Sequence, residues 1–315
     1  MVNRKVAEIL THSLRGSLAM AVLFGVCAVS DAQTQSTEER DNLHEPVFRV
    51  SKAAKNVNEP RNTPPATKVK GPEKHPLDEA LAMAQNSLDH IDRTIQDYTC
   101  TLIKRERVNG ELLQHEFMFC KVRHSRVQDG RQVPFSVYLH FNKPTTMARR
   151  EVLFVEGMND GKFTVREGGF RGKFLPTVSL LPTSTLAMNG NRYPITEIGI
   201  KTLTKRLIEK GQRDRNLGMC KVRTIKGAKI DQRPCTMLEV RHDQRQPQFD
   251  FHLARVFVDD ELNVPIRYEA YDWPKAEGQR PELIEEYTYL NLKINAGLKD
   301  EDFDPENSNY AFKRE

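Results

Sequence analysis

Few residues in this 315-residue chain have the types and spacing to do chemistry. Asp259-Asp260-Glu261 sets three carboxylates side by side, a grouping that could run acid–base chemistry or hold a cation. It lies between two strand-like runs, next to Asn263 and Pro265, so a solvated turn is the expected role. His242-Asp243 and His252 could orient one another beside it, although partly buried, hydrogen-bonded histidines are the plainer expectation. Gly168-Gly169-Phe170-Arg171-Gly172-Lys173 has the glycines and lysine of a phosphate loop, without its spacing or the following Ser or Thr. The sequence contains no His-Glu-x-x-His, no Gly-x-Ser-x-Gly elbow and no Cys/His spacing of a zinc site. Trp273, the one tryptophan, could stack on a ligand or anchor a core rim. No catalytic residue, metal site or cofactor is predicted.

The elements that would position a site are clearer. Leu77, Leu81, Ala84, Leu88, Ile91, Ile95 and Tyr98 recur every three or four residues, the apolar stripe of one helix. From Tyr98 onward the period becomes two. Val108-Asn109-Gly110-Glu111 is a two-residue hairpin signal that pairs position 100 with 119. Tyr98, Cys100, Leu102, Phe117 and Phe119 then share the apolar face nearest the helix, and Cys120 faces away from Cys100. Further strands are expected at 135–141, 151–155, 163–167, 170–175, 219–225, 237–242, 249–258, 265–273 and 283–294, with a second helix near 195–210. The 174–194 stretch mixes Leu and Pro without alternation, as either a mobile flap or an ordinary long connection. The pattern is α+β: a strongly curved antiparallel sheet of about ten strands wrapped around amphipathic helices. Such a sheet makes a container for apolar ligands.

Arg4, Lys5 and Arg15 precede an uncharged stretch from Ser17 to Ser30, and Ser30-Asp31-Ala32 offers small residues for cleavage. Residues 1–32 therefore read as a signal peptide; a retained anchor and a lipid on Cys27 are the alternatives. The apolar run is shorter than the about 20 residues that span a bilayer. Residues 33–76 hold six prolines and few large apolar side chains, and read as a disordered linker. The rest of the chain suffices for one domain over 77–305, with 306–315 as a tail. Processing lowers the net charge of +5 by one unit. Basic and acidic residues are interleaved, which argues against nucleic acid as a partner. Cys100, Cys120, Cys220 and Cys235 remain. A turn at Gly227-Ala228 would let Cys220 pair with Cys235, a turn at Asp231-Gln232 would separate them, and four buried thiols are equally compatible.

Lys143-Pro144, Arg149-Arg150-Glu151-Val152 and Asn159-Asp160-Gly161-Lys162 resemble the Arg-Pro … Arg-Trp-Glu … Asp-Gly-Lys run of the periplasmic lipoprotein-carrier superfamily, the LolA-like proteins. Leu292-Lys293-Ile294-Asn295, Gly297-Leu298 and Phe303 fit the same pattern. Within that superfamily the chain looks most like an uncharacterised bacterial envelope family known only as a domain of unknown function. The resemblance spans roughly residues 78–305 and implies an antiparallel half-barrel, lidded by helices, that binds acyl chains. Its motif positions here are Lys143, Pro144, Arg150, Asp160 and Gly161. Lys143 stands where the carriers have an arginine that helps hold the lid, and lysine lacks that planar fork. The expected function is an exported, non-enzymatic, monomeric carrier or sensor of a lipid, acyl chain or lipoprotein, with no membrane span after processing. Leu81, Leu88, Ile91, Ile95, Leu102, Phe117 and Phe119 would line its cavity. The alternatives are an envelope-polymer hydrolase and an interaction module with a solid core.

Overall fold

The computed structural model describes residues 48–50 and 74–313, apart from 171, 173 and 219. The expected signal peptide and most of the expected linker lie outside these residues. Within the linker range, Phe48–Val50 (β1) forms a strand. The remaining strands, in chain order, are β2 (Asp97–Val108), β3 (Glu111–Leu112), β4 (Glu116–Arg123), β5 (Arg126–Gln128), β6 (Arg131–Val133), β7 (Ser136–Lys143), β8 (Glu151–Val155), β9 (Phe163–Arg166), β10 (Val178–Leu180), β11 (Lys221–Ile230), β12 (Arg233–Arg241), β13 (Leu253–Asp259), β14 (Pro265–Tyr271) and β15 (Leu283–Ile294). The helices are α1 (Asp78–Thr94), the single turn α2 (Thr185–Met188) and α3 (Ile200–Leu217). One thirteen-stranded sheet runs β1-β11-β12-β13-β14-β15-β2-β4-β7-β8-β9-β10, with β3 beside β2; β5 and β6 form a separate hairpin. Every neighbouring pair is antiparallel, and β1 and β10 are left as open edges.

The helices cover one face of this sheet. Asp78 and Glu79 sit in the first turn of α1 and Arg93 in the last, each matched to the helix dipole. Toward its end, Ile91 and Ile95 enter the core formed by β2, β4, β7 and β8; near its start, Leu77 and Ala80 pack with Leu238 of β12. One helix reaches both halves of the sheet, which therefore curves around it. The second long helix starts later and runs further than its sequence pattern predicts. Residues 195–197 form a separate 3₁₀ turn, Gly199 at φ 118° breaks the chain, and α3 continues to a left-handed glycine cap at Gly218. The two helices run antiparallel, with ion pairs Asp78–Arg215 at one end and Asp92–Lys201 at the other. Gly211 allows their close crossing, because a Cβ there would stand 2.9 Å from the Leu81 side chain.

The first hairpin departs from expectation by one residue. Asn109 and Gly110, both at positive φ, make the turn and pair Val108 with Glu111. An extra residue in the 113–115 stretch then shifts the register, so Lys104 faces Glu116 and Cys100 faces Cys120. A slip of one residue moves every side chain to the other face. Met118, Cys120 and Val122 therefore join Tyr98, Cys100 and Leu102 in the core. Phe117 turns to the opposite face, under the Lys143 ammonium and beside His115, and Phe119 is 37% exposed. The cysteines in the described residues are free thiols. The β11–β12 turn falls at Asp231-Gln232, which separates Cys220 from Cys235.

Two further segments correct the sequence reading. No strand forms among the described residues of the 170–175 stretch: Gly172 N–H donates to the Gly168 carbonyl, and the Arg166 guanidinium donates to the carbonyls of Gly172 and Leu175. The described part of the expected tail is docked through Tyr310, Ala311 and Phe312. Tyr310 stacks on Tyr138 at 4.1 Å, Phe312 is buried beside it, and Ala311 N–H donates to Glu151. Tyr138 alternates with the core residues Val137 and Leu139, so this strap lies on the outer face.

His124 closes the corner between α1 and β4. It is buried edge-on against Tyr98, with Nδ1–H donating to the Ile95 carbonyl at 2.9 Å. Burial pushes its pKa down to about 4, against the favourable pull of that carbonyl. Below pH 6.5 the unfolded chain takes up this proton and the folded chain does not. The stability contributed above pH 6.5 should therefore be lost as pH falls toward about 4, by up to about 3 kcal/mol. Urea denaturation at pH 7 and pH 4.5 should show a smaller acid loss for His124→Gln than for the parent chain.

Candidate functional site

Beneath α1 and α3, against β12, β13 and β14, the packing leaves an apolar cavity of about 80 Å³. Leu81 and Ala84 of α1, Leu207 of α3, and Val240, Ala254 and Val256 of the sheet supply most of its wall. It exists because both helices turn small or unbranched side chains toward this half of the sheet: Ala80, Ala84 and Ser87 from α1, Thr204 and Gly211 from α3. Ser87 is 1% exposed and takes the central place on α1, donating its hydroxyl to the Asn263 carbonyl at 2.7 Å. Leu88, expected there, is half-buried.

Of the expected lining residues, Leu81 alone borders this cavity. Ile91, Ile95 and Leu102 lie in the filled core of the other half, while Phe117 and Phe119 are on the far face. The family-motif residues lie away from the cavity, in the turns at the two ends of β8. Lys143 and Pro144 open the β7–β8 turn. Arg150 closes it, gripping Glu167 at 2.9 and 3.2 Å and lying over the Phe141 ring. Asp160 and Gly161 hold the next turn at positive φ.

Polar groups at the cavity are few and mostly engaged. Thr204 donates to the Ile200 carbonyl, and Lys210 pairs with Asp250 at 3.3 Å. Asp214, from α3, stands 3.4 Å from Nε2 of the fully buried His242, whose Nδ1–H donates to the Phe251 carbonyl. Burial pushes the Asp214 pKa up and that of His242 down. Tyr268 is the exception. It is 4% exposed and lines the cavity, and its hydroxyl has no hydrogen-bond partner. An orphaned buried hydroxyl costs about 1–3 kcal/mol.

Period-two alternation brings a second group of residues onto the same face. Past Leu102 the concave side of β2 presents Lys104 and Glu106, opposite Tyr287 and Glu285 of β15. Lys104 bridges Glu106 and Glu116, and the Tyr287 hydroxyl donates to Glu106. The 189–193 segment is tied over this network: Asn191 accepts from Lys104 at 2.6 Å, and Arg192 reaches Glu106 through its backbone N–H and Glu285 through its guanidinium. The long connection is therefore anchored here rather than free. The alternation Leu102-Lys104-Glu106 against Tyr289-Tyr287-Glu285 was the available signal.

The carboxylate trio does not assemble a reacting centre. Asp259 is fully buried and held by Arg233 and by the N–H groups of Glu261 and Leu262. Burial raises its pKa, but those donors outweigh it and leave the carboxyl below its usual range. Asp260 accepts from Thr236, Glu261 pairs with Arg233, and His252 points at the His242 carbonyl. Among the described residues no three His, Cys, Asp or Glu side chains are placed to hold a metal ion.

The chain belongs to the family described as protein of unknown function DUF1571, whose model matches residues 95–312. No curated protein matches it. Similar solved structures include a putative outer membrane lipoprotein-sorting protein domain from Vibrio parahaemolyticus, at 13% identity and a TM-score of 0.33, covering 71% of this chain and 95% of that one. A LolA superfamily protein from Nitrosomonas europaea is similar at 12% identity and a TM-score of 0.29, covering 70% and 97%. The Pseudomonas aeruginosa MucA/MucB complex is similar at 18% identity and a TM-score of 0.37, covering 71% of this DUF1571 chain and 60% of that one. No helix among the described residues is long and apolar enough to cross a membrane.

An unfilled cavity gives a stability signature. Ala84→Leu adds carbon to a half-buried helical position facing the void, and should raise stability by about 0.5–2 kcal/mol in urea denaturation. In a filled core the same change would cost about 1–3 kcal/mol.

Proposed function

We propose that this DUF1571 chain binds an apolar chain, such as a lipid or acyl group, between the α1–α3 pair and the concave sheet, as a non-enzymatic carrier or sensor of the cell envelope. The observation that carries this reading is the cavity itself: a wall made almost wholly of carbon, interrupted by an unpartnered buried phenol. Pockets for small ligands usually enclose about 300–1,000 Å³, so this one represents a closed state that α1 and α3 must part to enlarge. Their contact suits that movement, since it rests on terminal ion pairs and a glycine crossing. Burying an alkyl chain of about 14 methylenes at about 0.8 kcal/mol each would supply up to about 11 kcal/mol, enough to drive the separation. Export, with residues 1–32 removed as a signal peptide and 33–76 as a linker, belongs to the same proposal.

A second reading has one observation in its favour. Phe170, Phe174, Leu181 and Leu186 are each at least half exposed along one stretch, the kind of surface that docks a partner. An interaction module would use that surface and leave the cavity closed.

Native mass spectrometry of protein purified from a membrane-containing host should reveal bound lipid, and the stripped protein should take up a fluorescent long-chain fatty acid. Ala84→Trp should abolish uptake with its melting transition retained. Absence of lipid and of uptake by the parent chain would favour the interaction module.

A further inference from the structure

Next to the apolar cavity, at the edge of β13–β15, lies a polar cleft of about 690 Å³. Arg107, Arg192 and Arg245 border it, with Asp250, Asp272 and Trp273. The two spaces share a wall. Phe249 and Asp250 line the cleft, Phe251 lines the cavity, and the Lys210–Asp250 ion pair joins a cavity residue to a cleft residue. Tyr268 lines the cavity and stacks at 6.4 Å on Tyr287, whose hydroxyl reaches Glu285, the carboxylate held by Arg192 of the cleft.

The cations of the cleft are unevenly engaged. Arg107 donates to the Leu283 and Gly110 carbonyls and faces Glu282. Arg192 spends Nε on Glu285 and Nη1 on the Arg107 carbonyl. Asp250 is matched twice, by Lys210 and by Arg213 at 3.0 Å. Arg245 is 71% exposed, stands 5.6 Å above the Trp273 ring and 3.7 Å from Asp272, an ion pair too long for a hydrogen bond. The indole Nε1–H beneath it is buried with no acceptor. The cleft thus offers an exposed guanidinium held only loosely by Asp272 and a buried indole donor without an acceptor, while a second unpartnered donor, the phenol, lines the cavity.

On the basis of the acyl-binding reading, we propose that the ligand is a single-chain amphiphile with an anionic headgroup. Its chain fills the cavity under α1 and α3, and its anionic head, the carboxylate of a fatty acid or the phosphate of a lysolipid, meets Arg245 and Arg192 in the cleft; in a lysolipid the ester carbonyl accepts from the Tyr268 hydroxyl. A neutral chain adds no counter-charge to Arg245, whose contact with Asp272 is too long for a hydrogen bond. A zwitterionic head brings a second cation against Arg245.

Competition for a fluorescent fatty acid tests this with the full chain and four monomeric probes: hexadecanoate, hexadecanol, palmitoyl-lysophosphatidylglycerol and palmitoyl-lysophosphatidylcholine. Hexadecanoate should bind at least tenfold tighter than hexadecanol, and Arg245→Ala should bring that ratio close to one. Tyr268→Phe should weaken both lysolipids about fivefold while its melting temperature holds or rises, as expected when an orphaned hydroxyl is removed. The source of the anion is read from the ranking of hexadecanoate against lysophosphatidylglycerol. Equal binding of hexadecanoate and hexadecanol, or a Tyr268→Phe chain with parental affinities, overturns the headgroup proposal and leaves acyl binding standing. Failure of all four probes to bind overturns both.

Discussion

The described structure depends on the need to cover one face of a large open antiparallel sheet with the two long helices found among the described residues. An antiparallel sheet alternates its side chains, and here one face carries a dense apolar set from β2 to β9 that must leave water. The connections between strands are mostly turns, so the covering material comes from α1, before β2, and from α3, inserted between β10 and β11. Both helices are amphipathic and antiparallel to one another, and both contribute small residues where they face β12–β14. The first half of the sheet is filled. The second half is packed as well, with Ile230, Met237, Phe257 and Ile266 buried in the same core, but leaves a void of about 80 Å³ beneath the helix pair. The cavity is the difference between the area to be covered and the bulk of the helical faces available to cover it.

The opposite face carries a cross-strand ladder of charge that is itself largely buried: Glu239, Arg267, Glu269 and Glu286 are each at most 9% exposed and are tolerated because they are paired. Glu239 of β12, Arg255 of β13, Glu269 of β14, Glu286 of β15 and Arg105 of β2 lie in one row of neighbouring positions. Arg255 bridges Glu239 and Glu269, and Arg267 joins Glu269 to Glu286. Such pairs set the register of adjacent strands. On the concave side, charge gathers in two places: Lys104, Glu106, Glu116 and Glu285 under residues 189–193, and Lys210 and Asp214 at the rim of the cavity. Apolar wall with charge at its margin is the distribution an amphiphile would match.

The sequence made the architecture legible where its period was long and clean. The stripe from Leu77 to Tyr98 located the start of α1 within a residue and overran its end at Thr94 by four, and alternation located the strands of the first half except at 170–175. What it misread traces to single residues with large geometric consequences. One extra residue between Leu113 and His115 inverted β4, sending Phe117 and Phe119 outward and Met118 inward. A local hairpin signal cannot report a bulge placed beyond the turn. The buried Ser87 was invisible because its partner, the Asn263 carbonyl, is 176 positions away. The same holds for the site. Leu81 was found through helical spacing, whereas Tyr268, Arg245 and Arg192 sit on elements far apart in sequence and meet only once the sheet is ordered. The short motifs at Lys143, Arg150 and Asp160 identified the fold through its turns, not through its cavity.

The location of a bound chain is the central claim, and photo-crosslinking reads it directly. A long-chain fatty acid bearing a diazirine near its terminal methyl, bound to the full chain, irradiated and mapped by peptide mass spectrometry, should label the segments that contain Leu81, Leu207, Val240 and Val256. Label concentrated on the exposed 170–186 stretch or on the outer face around Tyr138 and Tyr310, with none under the helices, would contradict the account.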